Sequence, residues 1–302
     1  MTLPAVSAIR RTHPDAFICW AVEKRCADVI DTEKLVSLRY EADRRTWRKC
    51  RWSLKTWRDQ IRFHLGLRQY RFDIGIDFQG HTKTALCLRL ANPKVRLAER
   101  GEDPLSRFLN PCWGPPVNVM HRVESHSKTL RATGEYSPDE TPILPNLDKE
   151  KKRVKEMACG DKPLATITVG AGTPMKVVPP ENWRAVAQHL LQEGYQVMFL
   201  GGPGDKPIAL EGTIDAVGKL ELRETWAALA LSALHVCGDT ATGHMAAAVN
   251  VPIVSVFGHE LPEIFRPYTD KLITLKEGNM ASNVKPEKII EAVDQIRGMY
   301  GV

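Results

Sequence analysis

Along most of this chain, short apolar runs alternate with stretches in which apolar positions recur every three or four residues. The runs have the length of buried strands and the stretches have the period of amphipathic helices, so the alternation predicts parallel α/β layers. The chain opens on a predicted helix, "LPAVSAIRRT". Pro4 stands where a first-turn proline is tolerated, Ala5 and Ile9 give a narrow apolar face, Arg10 and Arg11 suit the carboxyl end, and His13-Pro14-Asp15 stops it. Strands are predicted at 17–22 (FICWAV), 73–78 (DIGIDF) and 95–98 (VRLA). The proline-rich segment 136–148 then reads as an inter-domain linker. Beyond it, strands are predicted at 164–170, 195–201, 234–238 and 252–258, and helices at 181–194, 222–233, 242–250 and 285–300. The expected organisation is an N-terminal Rossmann-like domain over 1–147, a C-terminal one over 148–284, and a closing helix within 285–302. Two such domains would place a ligand at the carboxyl ends of their strands, in a cleft.

Composition narrows the function class. At 302 residues, 43% hydrophobic and 26% charged, the chain has the make-up of a soluble globular protein. No apolar run approaches the roughly 18 residues of a membrane span, and no basic segment followed by an apolar core suggests a secretory signal. Seven cysteines, at 19, 26, 50, 87, 112, 159 and 237, form no C-x-x-C, and most are expected to be small core residues of a reduced, cytoplasmic protein. No metal-ligand spacing is present, so neither a metal nor a cofactor is expected. The net charge of +6 is mild, so its placement matters more than its size, and with no recognised module a nucleic-acid partner is not expected.

Three loops carry candidate chemistry. In "TITVGAGTPMKVVPPENW" a strand runs into small residues, among them Gly172, followed by Thr173, Lys176 and a helix opened by Pro179-Pro180. Small residues let backbone N–H groups approach an anion, while the lysine and the helix end add positive charge, a combination suited to a diphosphate. An ordinary βα turn with a solvated lysine is the alternative, and Walker A spacing is absent. In "LHVCGDTATGHMAAAVNVPIVSVFG" a strand delivers Asp239 and Thr240, and an Ala-rich helix begins at Thr242, Gly243 and His244. Asp239 and Thr240 suit either a helix cap or sugar hydroxyls, and His244 suits a structural hydrogen bond. In "DIGIDFQGHTKTA" Gln79, His81 and Lys83 fall at a helix start, where Gly80 can make the turn and Thr82 the cap.

The fourth candidate is the basic stretch 41–72. On one continuous helix, Arg44, Arg48, Arg51, Lys55, Arg58 and Arg62 share a face, and Trp47, Cys50, Leu54, Trp57, Ile61 and Leu65 share another about a quarter-turn away. The expectation is an amphipathic helix whose apolar side docks and whose cationic flank meets anionic lipid, an acidic sugar acceptor or nucleic acid.

In this order, a basic helix, "IDFQGHTKTA", "GAGTPMKVVPPENW" and "GDTATGHMAAAVNVPIVSVFG" together resemble the bacterial lipopolysaccharide heptosyltransferases of glycosyltransferase family nine over nearly the whole chain. The resemblance implies a GT-B fold, with the final helix packing back toward the N-terminal domain. It implies inverting transfer of heptose from ADP-heptose to the anionic Kdo/heptose inner core of a lipid A acceptor, with no obligatory metal, by a protein peripheral to the cytoplasmic face of the inner membrane and monomeric. It assigns Lys176 to the leaving diphosphate and Gly172, Thr173, Asp239, Thr240, Thr242, Gly243 and His244 to the donor. Arg44, Arg48, Arg51, Lys55, Arg58, Gln79 and Lys83 go to the acceptor. The sequence departs from the family pattern at Val178, where a tryptophan is usual, and at Ala241, where a glycine is usual. The segment after "FLGGPGDK" is also short. The family's first strand, ending in a Gly-Asp pair whose aspartate is the proposed general base, has no counterpart before the "LPAVSAIRRT" helix. The N-terminal sheet is therefore expected to be incomplete and its domain weakened, with the general base unassigned. The alternative function is a catalytically inactive GT-B-like protein that binds a nucleotide-sugar or a glycolipid.

Overall fold

A computed structural model describes residues 1–101, 103–110, 112–116, 119–158 and 160–302. The chain forms two units that divide between Pro145 and Asn146, inside the proline-rich stretch. The first unit runs α1 (Leu3–Thr12), β1 (Cys19–Glu23), β2 (Leu38–Ala42), α2 (Arg44–Lys49), α3 (Leu54–Gly66), β3 (Ile74–Asp77), α4 (Thr82–Ala91), β4 (Val95–Arg100), α5 (Pro104–Leu109), β5 (Cys112–Pro116) and α6 (Arg122–Arg131). The second runs α7 (Asp148–Met157), β6 (Leu164–Thr168), α8 (Pro180–Gln192), β7 (Gln196–Leu200), β8 (Thr213–Asp215), α9 (Leu222–Leu231), β9 (Leu234–Gly238), α10 (Ala241–Ala248), β10 (Ile253–Phe257), α11 (Pro262–Phe265), β11 (Leu272–Lys276) and α12 (Pro286–Tyr300).

Among the described residues all strand pairing is parallel. In the first unit it forms two separate sheets, β1–β2 and β3–β4–β5. Helix α1 packs against both. Val6 lies in a cluster with Ile18, Trp20 and Val22, while Ala5 and Ala8 lie with Ile76 and Leu130. Beneath β4 a buried ionic group joins Glu99 to Arg122 Nη2 at 2.8 Å and to His126 Nδ1, and burial holds His126 below the ordinary imidazole range.

The second unit has one six-stranded sheet ordered β11-β10-β9-β6-β7-β8. The chain winds from β6 outward to β8, returns to the other side of β6 at β9, and winds out to β11. The direction of winding therefore reverses between β6 and β9, which opens a crevice at their carboxyl ends. Every residue of β6, β9 and β10 is buried. The core clusters Ile167, Val236 and Val256 with Trp183 and Val186 of α8, and Ile289, Ala292, Val293 and Ile296 of α12 join it. The apolar stripe of the last helix is thus occupied within the second unit.

The basic stretch departs from expectation. It is two helices, interrupted where Ser53 adopts an extended backbone at the start of α3. The six cations therefore share no single helical face. Of the six apolar residues expected to dock, Cys50, Leu54, Trp57, Ile61 and Leu65 are exposed and only Trp47 packs, half-buried. The docked side of α3 carries Thr56, Phe63 and His64 instead. Phe63 packs at a tilt against Tyr40 of β2 and edge-to-face against Trp47 of α2, with ring centroids 4.8 and 5.4 Å apart. The cysteine expectation is corrected too: Cys237 is buried, Cys19, Cys26 and Cys87 are half-buried and Cys50 is exposed. Cys159 and the side chain of Cys112 lie outside the described residues.

Candidate active site

Three loops meet at the winding reversal of the second unit, following β6, β9 and β10. After β6 the chain makes a single turn of 3-10 helix, Pro174–Lys176, before α8 begins at Pro180. Lys176 Nζ lies 2.7 Å from Asp239 Oδ2, which follows β9, and 3.6 Å from Glu260 Oε1, which follows β10. Asp239 is anchored by its N–H, which donates to the Val256 carbonyl at 3.0 Å. Glu260 is held from both sides. His259 Nε2 is 3.3 Å from its carboxylate, and Lys276 Nζ donates to its carbonyl at 3.0 Å and also to that of Gly258.

Close backbone approach draws these loops together. A Cβ on Gly258 would stand 2.1 Å from the Met175 carbonyl oxygen, and one on Gly238 would stand 3.3 Å from that of Lys176. Val178, where the family pattern has tryptophan, is buried in the core and serves packing. Gly170 lies against Asp205, whose carboxylate accepts the Gly202 N–H at 2.6 Å, so the turn after β7 braces the start of the loop.

The sequence-predicted donor residues fall on both sides of this centre. Gly172 and Thr173 are exposed on the loop, and Thr240 and Thr242 place their hydroxyls 2.9 Å apart at the start of α10. Thr240 stands at the N-cap without a side-chain capping bond, and Asp239 faces Lys176, so neither acts as the cap. Gly243 is buried, and a Cβ there would come within 3.1 Å of Cys237 Sγ and of Pro267. It permits packing of α10. His244 is half-buried in the first turn. Sequence reasoning missed Glu260, His259 and Lys276. The signal was available for the first two, because "FGHE" directly follows a fully buried strand and residues just past a strand's carboxyl end line such crevices.

Two lysines, Lys176 and Lys276, and two carboxylates, Asp239 and Glu260, make up the core of this centre. Such a centre is pre-organised by its own ion pairs. An incoming dianion can recruit the ammonium of Lys176, while the carboxylates are free to accept hydrogen bonds from hydroxyl groups. Among the described residues, no group of three or more His, Cys, Asp and Glu side chains is placed to hold a metal ion, and no helix is long and apolar enough to cross a membrane.

The predicted acceptor residues lie in the first unit. Asp77, buried at the end of β3, accepts from the N–H groups of Gln79 (2.9 Å) and Gly80 (3.2 Å) and from Thr84 Oγ1 (2.9 Å), and burial raises its pKa. This turn leaves Gln79, His81 and Lys83 exposed. Gly80 makes the turn with φ +65°, and Thr82 bonds through its N–H to Asp103 at 2.9 Å. Arg44 lies 3.8 Å from Glu23, and Arg51 stacks over Trp52 at 5.3 Å. Arg48, Lys55 and Arg58 are exposed.

Residues 60–292 match the family model described as glycosyltransferase family 9 (heptosyltransferase). The chain is 28% identical over 275 residues to lipopolysaccharide heptosyltransferase 1 of Pseudomonas aeruginosa, covering 86% of this chain and 75% of the relative. Two solved structures share the fold. One is described as E. coli heptosyltransferase WaaC with ADP (TM-score 0.79, 21% identity, 98% of this chain and 95% of that one). The other is the same enzyme with ADP-2-deoxy-2-fluoro heptose (TM-score 0.75, 20% identity, 97% and 94%). Each unit is accordingly one Rossmann-like domain of a GT-B fold.

Proposed function

The chain belongs to glycosyltransferase family 9, and on that premise we propose that this glycosyltransferase moves heptose from ADP-heptose to the Kdo/heptose inner core of lipopolysaccharide, with inversion at the anomeric carbon. One observation carries the donor half of this reading: Lys176 held between Asp239 and Glu260 where the winding of the sheet reverses. The two fold neighbours, described with ADP and with a fluorinated ADP-heptose, support the choice of nucleotide.

In the reaction, the acceptor hydroxyl oxygen bonds to the anomeric carbon as the bond from that carbon to the β-phosphate oxygen breaks. The electron pair leaves on ADP, and the hydroxyl proton passes to a base. The leaving diphosphate gains negative charge in the transition state, where an ammonium already in place costs no reorganisation. Lys176 supplies it, so this reading needs no metal. Asp239 accepts hydrogen bonds from donor hydroxyls, and the hydroxyls of Thr240 and Thr242 beside it both accept and donate. Gly172 and Thr173 lie along the diphosphate, Gly243 keeps α10 close to the sheet, and His244 supports the loop. The anionic, lipid-linked acceptor is met by Arg44, Arg48, Arg51, Lys55, Arg58, Gln79 and Lys83, with the protein peripheral at the cytoplasmic face of the inner membrane.

The test is Lys176→Ala, read by calorimetric ADP binding and by sugar transfer. Loss of one such charge is expected to slow turnover by about 10²–10³-fold and to weaken ADP. Wild-type turnover in this variant would overturn the role given to Lys176. ADP-heptose binding without transfer in the unaltered chain would mark a binding protein.

A further inference from the structure

The two carboxylates that face Lys176 are held very differently. Asp239, 2.7 Å from the ammonium, has a side chain only 7% exposed, and its N–H is bonded to the Val256 carbonyl. Glu260, at 3.6 Å, has a side chain 30% exposed. The backbone beneath Glu260 is pinned, because Lys276 Nζ donates to the carbonyls of Gly258 and Glu260. Its carboxylate has a second nitrogen within reach, His259 Nε2 at 3.3 Å. The side chain of Glu260 can therefore turn away from Lys176, toward the imidazole and water, while its loop stays in place. Asp239 has no such exit.

This asymmetry bears on any diphosphate that meets Lys176. With Asp239 and Glu260 already facing the ammonium, a diphosphate is a third anion at one cation. Like charges a few ångströms apart repel, and at a partly exposed site the repulsion changes an affinity by about tenfold. The exposed carboxylate with another partner is the one that yields. We propose that Glu260 competes with the donor diphosphate for Lys176 and so sets how tightly the nucleotide is held. Its side chain turns toward His259 as the diphosphate takes the ammonium, and turns back as ADP leaves. The proposal rests on the reading of Lys176 as the residue that meets the donor diphosphate. It adds a positioning residue that keeps the ammonium aimed into the crevice and limits the grip on the product.

The test is calorimetric binding of ADP and of inorganic pyrophosphate to the full chain and to Glu260→Gln, which removes the charge and keeps the shape. Both ligands are expected to bind about tenfold more tightly to the variant, with a smaller gain at high salt. A residue needed only for structure would lose affinity on substitution, not gain it. Glu260→Asp keeps the charge and is expected to bind as the wild type does. In a Lys176→Ala background the same Glu260→Gln change is expected to gain less than about twofold, since no ammonium is left to contest. Unchanged or weaker binding by Glu260→Gln would overturn the proposal, as would equal tightening by Glu260→Asp. So would an undiminished gain in the Lys176→Ala background, or no binding of either ligand to wild type and variant alike. These measurements need no acceptor: a chain that transfers no sugar yet gains affinity in Glu260→Gln would overturn the proposed function and support this proposal.

Discussion

At the scale of single residues, what the sequence showed best was chemistry tied to a strand end. Lys176 and Asp239 are named by their loops and meet at 2.7 Å. Glu260 was passed over because it is an ordinary acid in an unremarked loop, and only folding places it 3.6 Å from the same ammonium. His235 makes a different point. It reads as one polar residue in a strand, yet it is fully buried in β9, with Nδ1 2.9 Å from Thr166 Oγ1, and burial pulls its pKa down to about 3. Between that value and an ordinary 6.5, the unfolded chain binds a proton that the folded chain refuses. Stability therefore falls as the pH is lowered through this window, by about 1.4 kcal/mol per unit from this group. Paired carboxylates such as Glu150, held low chiefly by its bond to Arg223, add a slope of the same sign at lower pH. Denaturant titrations between pH 7 and pH 4 should show a shallower fall in His235→Asn than in the wild type. Equal slopes would mean that His235 does not carry the effect.

At the scale of elements, legibility followed burial. The wholly buried strands β6, β9 and β10 announce themselves as uninterrupted apolar runs, whereas β8 is three half-buried residues and β11 a part-exposed edge strand, and both were missed. Strand β5, "CWGPP", is not among the predicted strands, because glycine and proline are poor strand formers. The basic stretch failed for a subtler reason. Its period is helical, but the period does not say which side faces the protein, and aromatic contacts from Phe63 settled that against the more apolar stripe. The donor site also rests on an element-level contact, the approach of the β10 loop to the turn that carries Lys176. Gly258→Ala puts a methyl group 2.1 Å from the Met175 carbonyl, so the two loops must separate. The expected cost is about 1–3 kcal/mol of stability, together with weakened ADP binding as Lys176 is displaced. A Gly258→Ala protein with wild-type melting and ADP affinity would show that this contact does not position the lysine.

At the scale of the whole molecule, the alternation of runs and periods was sufficient for two Rossmann-like domains, and the division after Pro145 falls where prolines interrupt that alternation. It was not sufficient for how the first unit's strands associate. The described strands there associate as two sheets, β1–β2 and β3–β4–β5, both packed by α1. Pairing is a long-range property that local pattern does not carry. The central claim is sugar transfer, and its most direct measurement is mass spectrometry of a Kdo-lipid A acceptor incubated with this chain and ADP-heptose, alongside quantitation of released ADP. The account predicts an acceptor heavier by one heptose, ADP formed in equal amount, and both lost in Lys176→Ala. An unmodified acceptor with ADP-heptose bound but intact would contradict it.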